Sequence, residues 1–173
     1  GYRSASLFSS TANAHLSDLY KALGLEGNTN AYSFSGATPL TSAILGVKYT
    51  LSTTPLASGL YTEKMTDGEV TLYENKYSLP IGFMVSSDFE SLWDYKLLNP
   101  VDNQNSLAQA AGADDILMLT GDGASSTGKY TISISGNGFY YVDVTNTSIK
   151  DVSVSSAGNT KSFSNVNRGY LLD

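Results

Sequence analysis

The spacing of apolar residues alternates between helical and strand periods over the first 112 residues and is strand-like beyond. Between Asn13 and Gly24, Leu16, Leu19, Tyr20 and Leu23 fall at i, i+3, i+4 and i+7, the stripe of one helix face. Asn13 is placed to cap that helix and Gly24 to stop it. A second, shorter helix is predicted from Thr38 to Gly46, with Thr38 as cap, Pro39 in the first turn, and Leu40, Ala43 and Ile44 facing inward. It runs into a strand in which Val47, Tyr49 and Leu51 alternate with Lys48 and Thr50, the pattern of a half-buried sheet. Leu60 to Met65 and Glu69 to Tyr73 flank Asp67-Gly68 and predict a hairpin turning at that pair.

The largely apolar run Leu79-Pro80-Ile81-Gly82-Phe83-Met84-Val85 is expected to be an inner strand. Ser87-Asp88-Phe89-Glu90 has the spacing of a capping box ahead of Phe89, Leu92 and Trp93. Asn99-Pro100 opens a further helix whose inward stripe is Gln104, Leu107, Ala108 and Ala111, ended by Gly112. From about residue 113 the period becomes 2, in Tyr130–Ile134, Phe139–Val144 and Val152–Val154, with turns expected at Gly136-Asn137-Gly138 and Gly158-Asn159. Asp122 to Gly128 fits a long loop or a linker. The expectation is an α+β fold: a mixed helix and sheet domain over 1–112, then an all-β, sandwich-like module over 113–173 that need not be complete.

Composition narrows the class. Ser, Thr and Asn supply 53 of 173 residues, and the 12 tyrosines outnumber the other aromatics, which suits short strands and polar turns. There is no cysteine, so disulfides and cysteine-ligated zinc are excluded. A net charge of −6 with only two arginines, Arg3 and Arg168, offers no basic stripe for phosphates and argues against nucleic-acid binding. No apolar run approaches the roughly 18 residues of a membrane span. The abrupt start at Gly1-Tyr2-Arg3 and the strand-like end Gly169-Tyr170-Leu171-Leu172-Asp173 lead us to expect a piece of a longer protein.

No catalytic constellation stands out. His15, the one histidine, belongs to the first turn of a surface helix, and no Gly-x-Ser-x-Gly accompanies any serine. Asp114-Asp115, and Asp88 with Glu90, read as surface or capping charges rather than a glycosidase pair. Asp102, Asn103 and Asn105 lack the loop and terminal Glu of a calcium hand, and Gly121-Asp122-Gly123 lacks the Lys of a phosphate loop. No metal and no cofactor are therefore expected. The remaining signal is a set of rings beside amides and hydroxyls, the groups that hold sugars: Trp93, Tyr130, Tyr140 and Tyr141 with Asn103, Gln104 and Asn105. Cross-strand packing is the competing explanation for the strand tyrosines.

Several stretches in order resemble one family: Phe8-Ser9-Ser10-Thr11; Tyr32-Ser33; Thr38-Pro39-Leu40-Thr41-Ser42-Ala43-Ile44-Leu45-Gly46-Val47-Lys48-Tyr49; Tyr73-Glu74-Asn75-Lys76-Tyr77-Ser78 with the Leu79–Val85 run; Asn99-Pro100 with Gln104-Asn105; and, further on, Lys150-Asp151-Val152 and Arg168-Gly169-Tyr170-Leu171-Leu172. Together they resemble the YfhO family of bacterial polytopic membrane proteins. The resemblance implies a soluble extracytoplasmic domain, on the outer face of the cell membrane, of a protein similar to lipid-phosphosugar-dependent glycosyltransferases that decorate teichoic acid or other surface polymers. In such enzymes the catalytic acid lies in a loop between early membrane helices, so no catalytic residue carries over. The implied partners are the parent's own transmembrane region and a surface glycopolymer, with the domain membrane-proximal but not inserted. On this basis Tyr32, Ser35, Trp93, Asn103, Gln104, Asn105 and Tyr140 are the glycan or interface candidates, loops on a scaffold being where contacts usually sit. A stand-alone carbohydrate-binding or adhesin module, and a small secreted glycosidase, are the alternatives.

Overall fold

The computed structural model describes residues 4–96, 99–121, 123, 128–134, 136 and 138–173. The Gly1–Arg3 start, Asp122 with residues 124–127, and the turn through Asn137 lie outside the described residues. The architecture is α+β, with three small antiparallel sheets.

Strand β1 (Leu7–Phe8) leads to helix α1 (Ala14–Ala22), and β2 (Gly27–Asn28) and β3 (Ala31–Tyr32) follow. The first sheet runs β1-β3-β2. Asn13 caps α1 by accepting from Leu16 N–H, and Gly24 ends it at φ +76°, a conformation that favours glycine. Helix α2 (Pro39–Ile44) starts in a reciprocal box: the Thr38 side chain accepts from Thr41 N–H while the Thr41 hydroxyl accepts from Thr38 N–H at 2.8 Å. Its inner face is polar. Thr41 and Ser42 are buried, whereas Leu40, Ala43 and Ile44 are only half-buried, because both hydroxyls turn back onto the Thr38 carbonyl.

Strands β4 (Tyr49–Ser52), β5 (Tyr61–Asp67) and β6 (Val70–Asn75) form the second sheet, in the order β4-β6-β5. Asp67 pairs with Val70, so the hairpin turns at Gly68-Glu69, one residue later than the Asp67-Gly68 expected. The sheet is also inverted relative to expectation. Tyr49 and Leu51 are exposed, and the half-buried positions are Thr50 and Ser52, on the side where Tyr73 is 8% exposed. Alternation fixes which residues share a face, not which face is covered.

The Leu79–Val85 run forms no strand and is exposed throughout. The expected capping box is absent as well: the short helix α3 (Phe89–Leu92) begins after Asp88, whose carboxylate takes the Ser86 hydroxyl instead of a backbone N–H. Helix α4 (Pro100–Ala110) is capped by Asn99, which accepts from Asp102 N–H at 2.9 Å. It buries Asn103, Gln104, Leu107, Ala108 and Ala110, while Ala111, expected inside, is exposed.

Beyond α4 the ladder is the hairpin β7 (Asp151–Ser156) and β8 (Asn159–Ser164). Tyr130–Ile134 carries no strand, and Phe139–Val144 contributes a single bridge, Val142 with Leu172. Ser156 pairs with Asn159, so the turn is Ala157-Gly158 rather than Gly158-Asn159; Ala157 is forced to φ +50°. A two-residue turn with both φ angles positive matches the twist of its strands and favours Asn or Gly at its first position.

Two apolar clusters result. Tyr20, Leu23, Leu25 and Leu107 centre one, and Phe163, Val166, Tyr170 and Leu172 the other. Leu171 joins them. Its N–H donates to the Gly24 carbonyl at 2.8 Å, and its side chain, 1% exposed, occupies the space where a Gly24 Cβ would stand, 2.7 Å from Leu171 Cγ. Arg168 pairs with Glu26 beside this contact.

Ala157→Gly removes the left-handed alanine and is expected to stabilise by about 1 kcal/mol. Gly36 sits at φ +83°, and a Cβ there would lie 2.4 Å from the Gly24 carbonyl oxygen; Gly36→Ala is expected to cost roughly 3 kcal/mol. Thermal unfolding followed by circular dichroism measures both, and equal melting points for the two variants would contradict this account of the backbone.

Candidate functional site

Most of the amides named from the sequence are structural. Asn103 and Gln104 are 0% exposed. Asn103 Nδ2 donates to the Ala22 carbonyl at 2.9 Å and the Tyr95 carbonyl at 3.0 Å, and Gln104 Nε2 donates to the Leu23 carbonyl at 2.7 Å while its Oε1 accepts from the Thr38 hydroxyl. Asn105 accepts from the N–H groups of Ile116 and Leu117 at 3.0 and 2.9 Å and donates to the Leu117 carbonyl at 2.8 Å. These side chains hold segments to α4, so a sugar cannot reach Asn103 or Gln104. Trp93 is half-buried against Phe89 and Tyr95, with its ring N–H on the Asn103 carbonyl at 3.2 Å. Tyr32 packs at a tilt against Tyr20, centroids 4.8 Å apart. Tyr140 stands apart, 37% exposed, its hydroxyl towards the Gly136 carbonyl.

Ser35 is different, because it lines a cleft of about 480 Å³. One wall is the covered side of the second sheet, Thr50 and Tyr61, with Leu56; another is the 34–37 loop with Ser42; the third is Lys161, Phe163, Tyr170 and Asp173. Lys161 and Phe163 reach it together because residues two apart on β8 share a face. Lys161 Nζ lies 3.2 Å from the Asp173 carboxylate and 5.1 Å from the Phe163 ring centre. The cation is thus neutralised within the wall.

Hydroxyls complete the lining. Ser35 Oγ accepts from Ser33 Oγ at 2.9 Å, and Tyr170 donates to the Ser164 carbonyl at 2.8 Å. Thr50 Oγ1 is shielded and has no hydrogen-bond partner among the described residues. Tyr141 stands near Tyr61 and Asp173, and burial first, then those two groups, push its phenol up to about 12. It stays a protonated donor at physiological pH. Burial also raises the Asp143 carboxyl above the usual carboxylate range. His15 lies far out on α1 and is exposed, and no group of three His, Cys, Asp or Glu that could hold a metal occurs among the described residues.

The model of the family described as bacterial membrane protein YfhO matches residues 1–169. The chain belongs to the YfhO family. No curated protein and no solved structure matches it. Among the described residues of this YfhO-family chain, no helix is long and apolar enough to cross a membrane. The described residues of the matched stretch form small sheets and short helices.

Sequence reasoning reached Ser35 but missed Tyr61, Lys161, Phe163, Tyr170 and Asp173. The period-2 spacing of Lys161 and Phe163 was available as a signal; that Tyr61 faces them from a hundred residues away was not.

A carboxyl raised in the folded state holds its proton to higher pH than the unfolded chain does, so stability falls as pH rises from the ordinary carboxylate range through the folded value. Asp143→Asn removes that loss. The variant is expected to melt higher than the parent at about pH 7, with the gain vanishing toward about pH 3 where both states are protonated. A calorimetric pH series that gives a constant gain would contradict the burial of this carboxyl.

Proposed function

We propose that this chain is a non-catalytic extracytoplasmic domain of a YfhO-family membrane protein that binds an uncharged stretch of sugar for a glycosyltransferase-like membrane portion. The observation that carries this reading is the lining of the cleft. The half-buried Phe34 and Tyr61 offer rings for sugar C–H groups, with Phe163 and Tyr170 packed behind them as the apolar floor, and the exposed Ser35 offers a hydroxyl. Lys161, the one cation lining the cleft among the described residues, is paired with Asp173, and the net charge of −6 repels a bare polyphosphate. A neutral sugar substituent, rather than the phosphate backbone of a teichoic acid, is what this chemistry favours.

Membership of a membrane-protein family and the lining of this cleft support the further parts of the reading: the outer face of the membrane as location, the parent's transmembrane region as partner, and a surface glycopolymer as acceptor. With its bond-making groups elsewhere, the domain's task is to present the acceptor.

The test is titration of the isolated chain with neutral oligosaccharides, followed by amide shifts in NMR. Shifts are expected to gather at Ser35, Tyr61 and Lys161, and Tyr61→Ala is expected to weaken binding roughly tenfold, about 1.4 kcal/mol. In cells, deleting the domain from the parent is expected to impair surface glycosylation. Unchanged glycosylation after deletion, or shifts scattered away from the cleft, would overturn the proposal.

A further inference from the structure

Among the described residues, the Leu79–Val85 run is a continuous apolar stretch with no cover. Ile81 and Met84 are 94% and 98% exposed, with Phe83 at 45% and Val85 at 43%. None of the four belongs to either core cluster. Isolated apolar side chains on a surface are ordinary, but four of them on a single five-residue tip mark an interaction site.

The tip stands on a fixed base. Leu79 N–H donates to the Ala43 carbonyl at 3.0 Å, in the last turn of α2, and at the other end the Ser86 hydroxyl donates to Asp88. Lys76 and Tyr77 precede the run, and Tyr77 is 58% exposed. An ammonium and a phenol at the base of an uncharged apolar tip follow the order of a membrane boundary, polar and aromatic groups at headgroup level with aliphatic groups below.

The adjoining sheet continues the same theme. Leu51, Leu72 and Met65 are in register across the three strands, with Leu51 70% and Met65 62% exposed. At the end of that sheet leading to the tip, Lys48 and Lys64 converge on Glu74, while the acids Asp67 and Glu69 lie at the opposite, turn end. Lys48 and Lys64 thus share Glu74 at the tip end, where Glu63 also lies, and the Lys76 ammonium beside them donates to the Ser58 carbonyl. Asp88 and Glu90 on α3 lie beyond the run, so apolar insertion, more than charge, must supply the attraction.

We infer that the 77–85 loop dips into the headgroup region of a lipid bilayer and seats the domain on the membrane through Ile81, Phe83, Met84 and Val85. The occupant is lipid, because the chain belongs to a family of membrane proteins and has no spanning helix among its described residues. This inference rests on the family and the loop, not on the sugar cleft, and its test contains no sugar.

The chain has no cysteine, so Met84→Cys accepts a single environment-sensitive fluorophore, and Glu69→Cys at the hairpin turn serves as the reference. Each labelled chain is tethered by a terminal hexahistidine, at either end in separate preparations, to vesicles of phosphatidylglycerol and phosphatidylethanolamine carrying nickel-chelating lipid. A blue-shifted emission is expected at 84 from at least one tether and not at 69, with the shifted fraction reduced at least tenfold by adding Ile81→Asp. Ile81 is so exposed that the substitution leaves folding intact, which circular dichroism checks. Absence of a shift at 84 from both tethers overturns the inference. A shift that follows protein concentration without vesicles also overturns it, in favour of a second copy of the chain.

Discussion

Close approach of three backbone segments governs how the two apolar clusters of this chain meet. Gly24, Gly36 and Leu171 come together with no room for a Cβ at either glycine, and the Leu171 N–H closes the contact on the Gly24 carbonyl. Gly24 is at the same time the stop of α1. One residue therefore terminates a helix, accepts the returning chain and lets an aliphatic side chain fill the gap, a burial worth about 2 kcal/mol for Leu171 alone. The next residue, Leu172, pairs both ways with Val142 at 2.9 Å, so the same extended segment is shared by both clusters. The cleft depends on this, since Tyr170 and Asp173 flank the pair that holds it.

Around that junction the interior is held as much by amides and hydroxyls as by aliphatic contact. Thr38, Thr41, Ser42, Asn103 and Gln104 are all buried. Each meets a carbonyl or another hydroxyl, and the Gln104 amide spans from Thr38 to the end of α1. Such bonds add little net stability individually, about 1 kcal/mol, but an unmade one in the interior costs more. The polar struts therefore specify how α1, α2 and α4 sit together, while Leu25, Leu107 and Tyr20 supply the driving force.

Local signals in the sequence were read well where local chemistry decides the outcome. Asn13, Thr38-Pro39 and Asn99-Pro100 each begin a helix because the side chain and the ring act within one turn. The hairpins were legible too, though each turn is displaced by one residue, since the pairing of Asp67 with Val70 and of Ser156 with Asn159 is set across the ladder and not by the turn pair alone. One local signal failed, the capping box expected at Ser87–Glu90; the other failures are tertiary. Asn103 and Gln104 have the chemistry of exposed sugar ligands, and only the approach of α1 and α2 converts them into struts. Leu79–Val85 has the composition of an inner strand, yet no partner strand meets it. In the site, Ser35 was found because it lies in a loop, while the opposite wall depended on a contact between residues more than a hundred positions apart.

The second sheet shows why hydrophobic alternation alone misleads here. Its covered side holds Thr50 and Tyr73 and faces the cleft, and its bare side presents Tyr49, Leu51 and Met65. A sheet in water normally hides the more apolar face, because each fully buried aliphatic side chain returns about 1.5–3 kcal/mol. Covering the more polar face forgoes that gain, and the opposite side is left as surface that a neighbour can cover at little cost in desolvation. The two faces therefore differ in chemistry: one is covered and lined by hydroxyls and tyrosines, and the other carries Tyr49, Leu51, Leu72 and Met65 together with Glu74. Sequence gives both sets of residues the same period of 2; what separates them is the position of the C-terminal segment held by Gly24, which packs near Thr50 and Tyr61 and leaves Tyr49 and Leu51 outside.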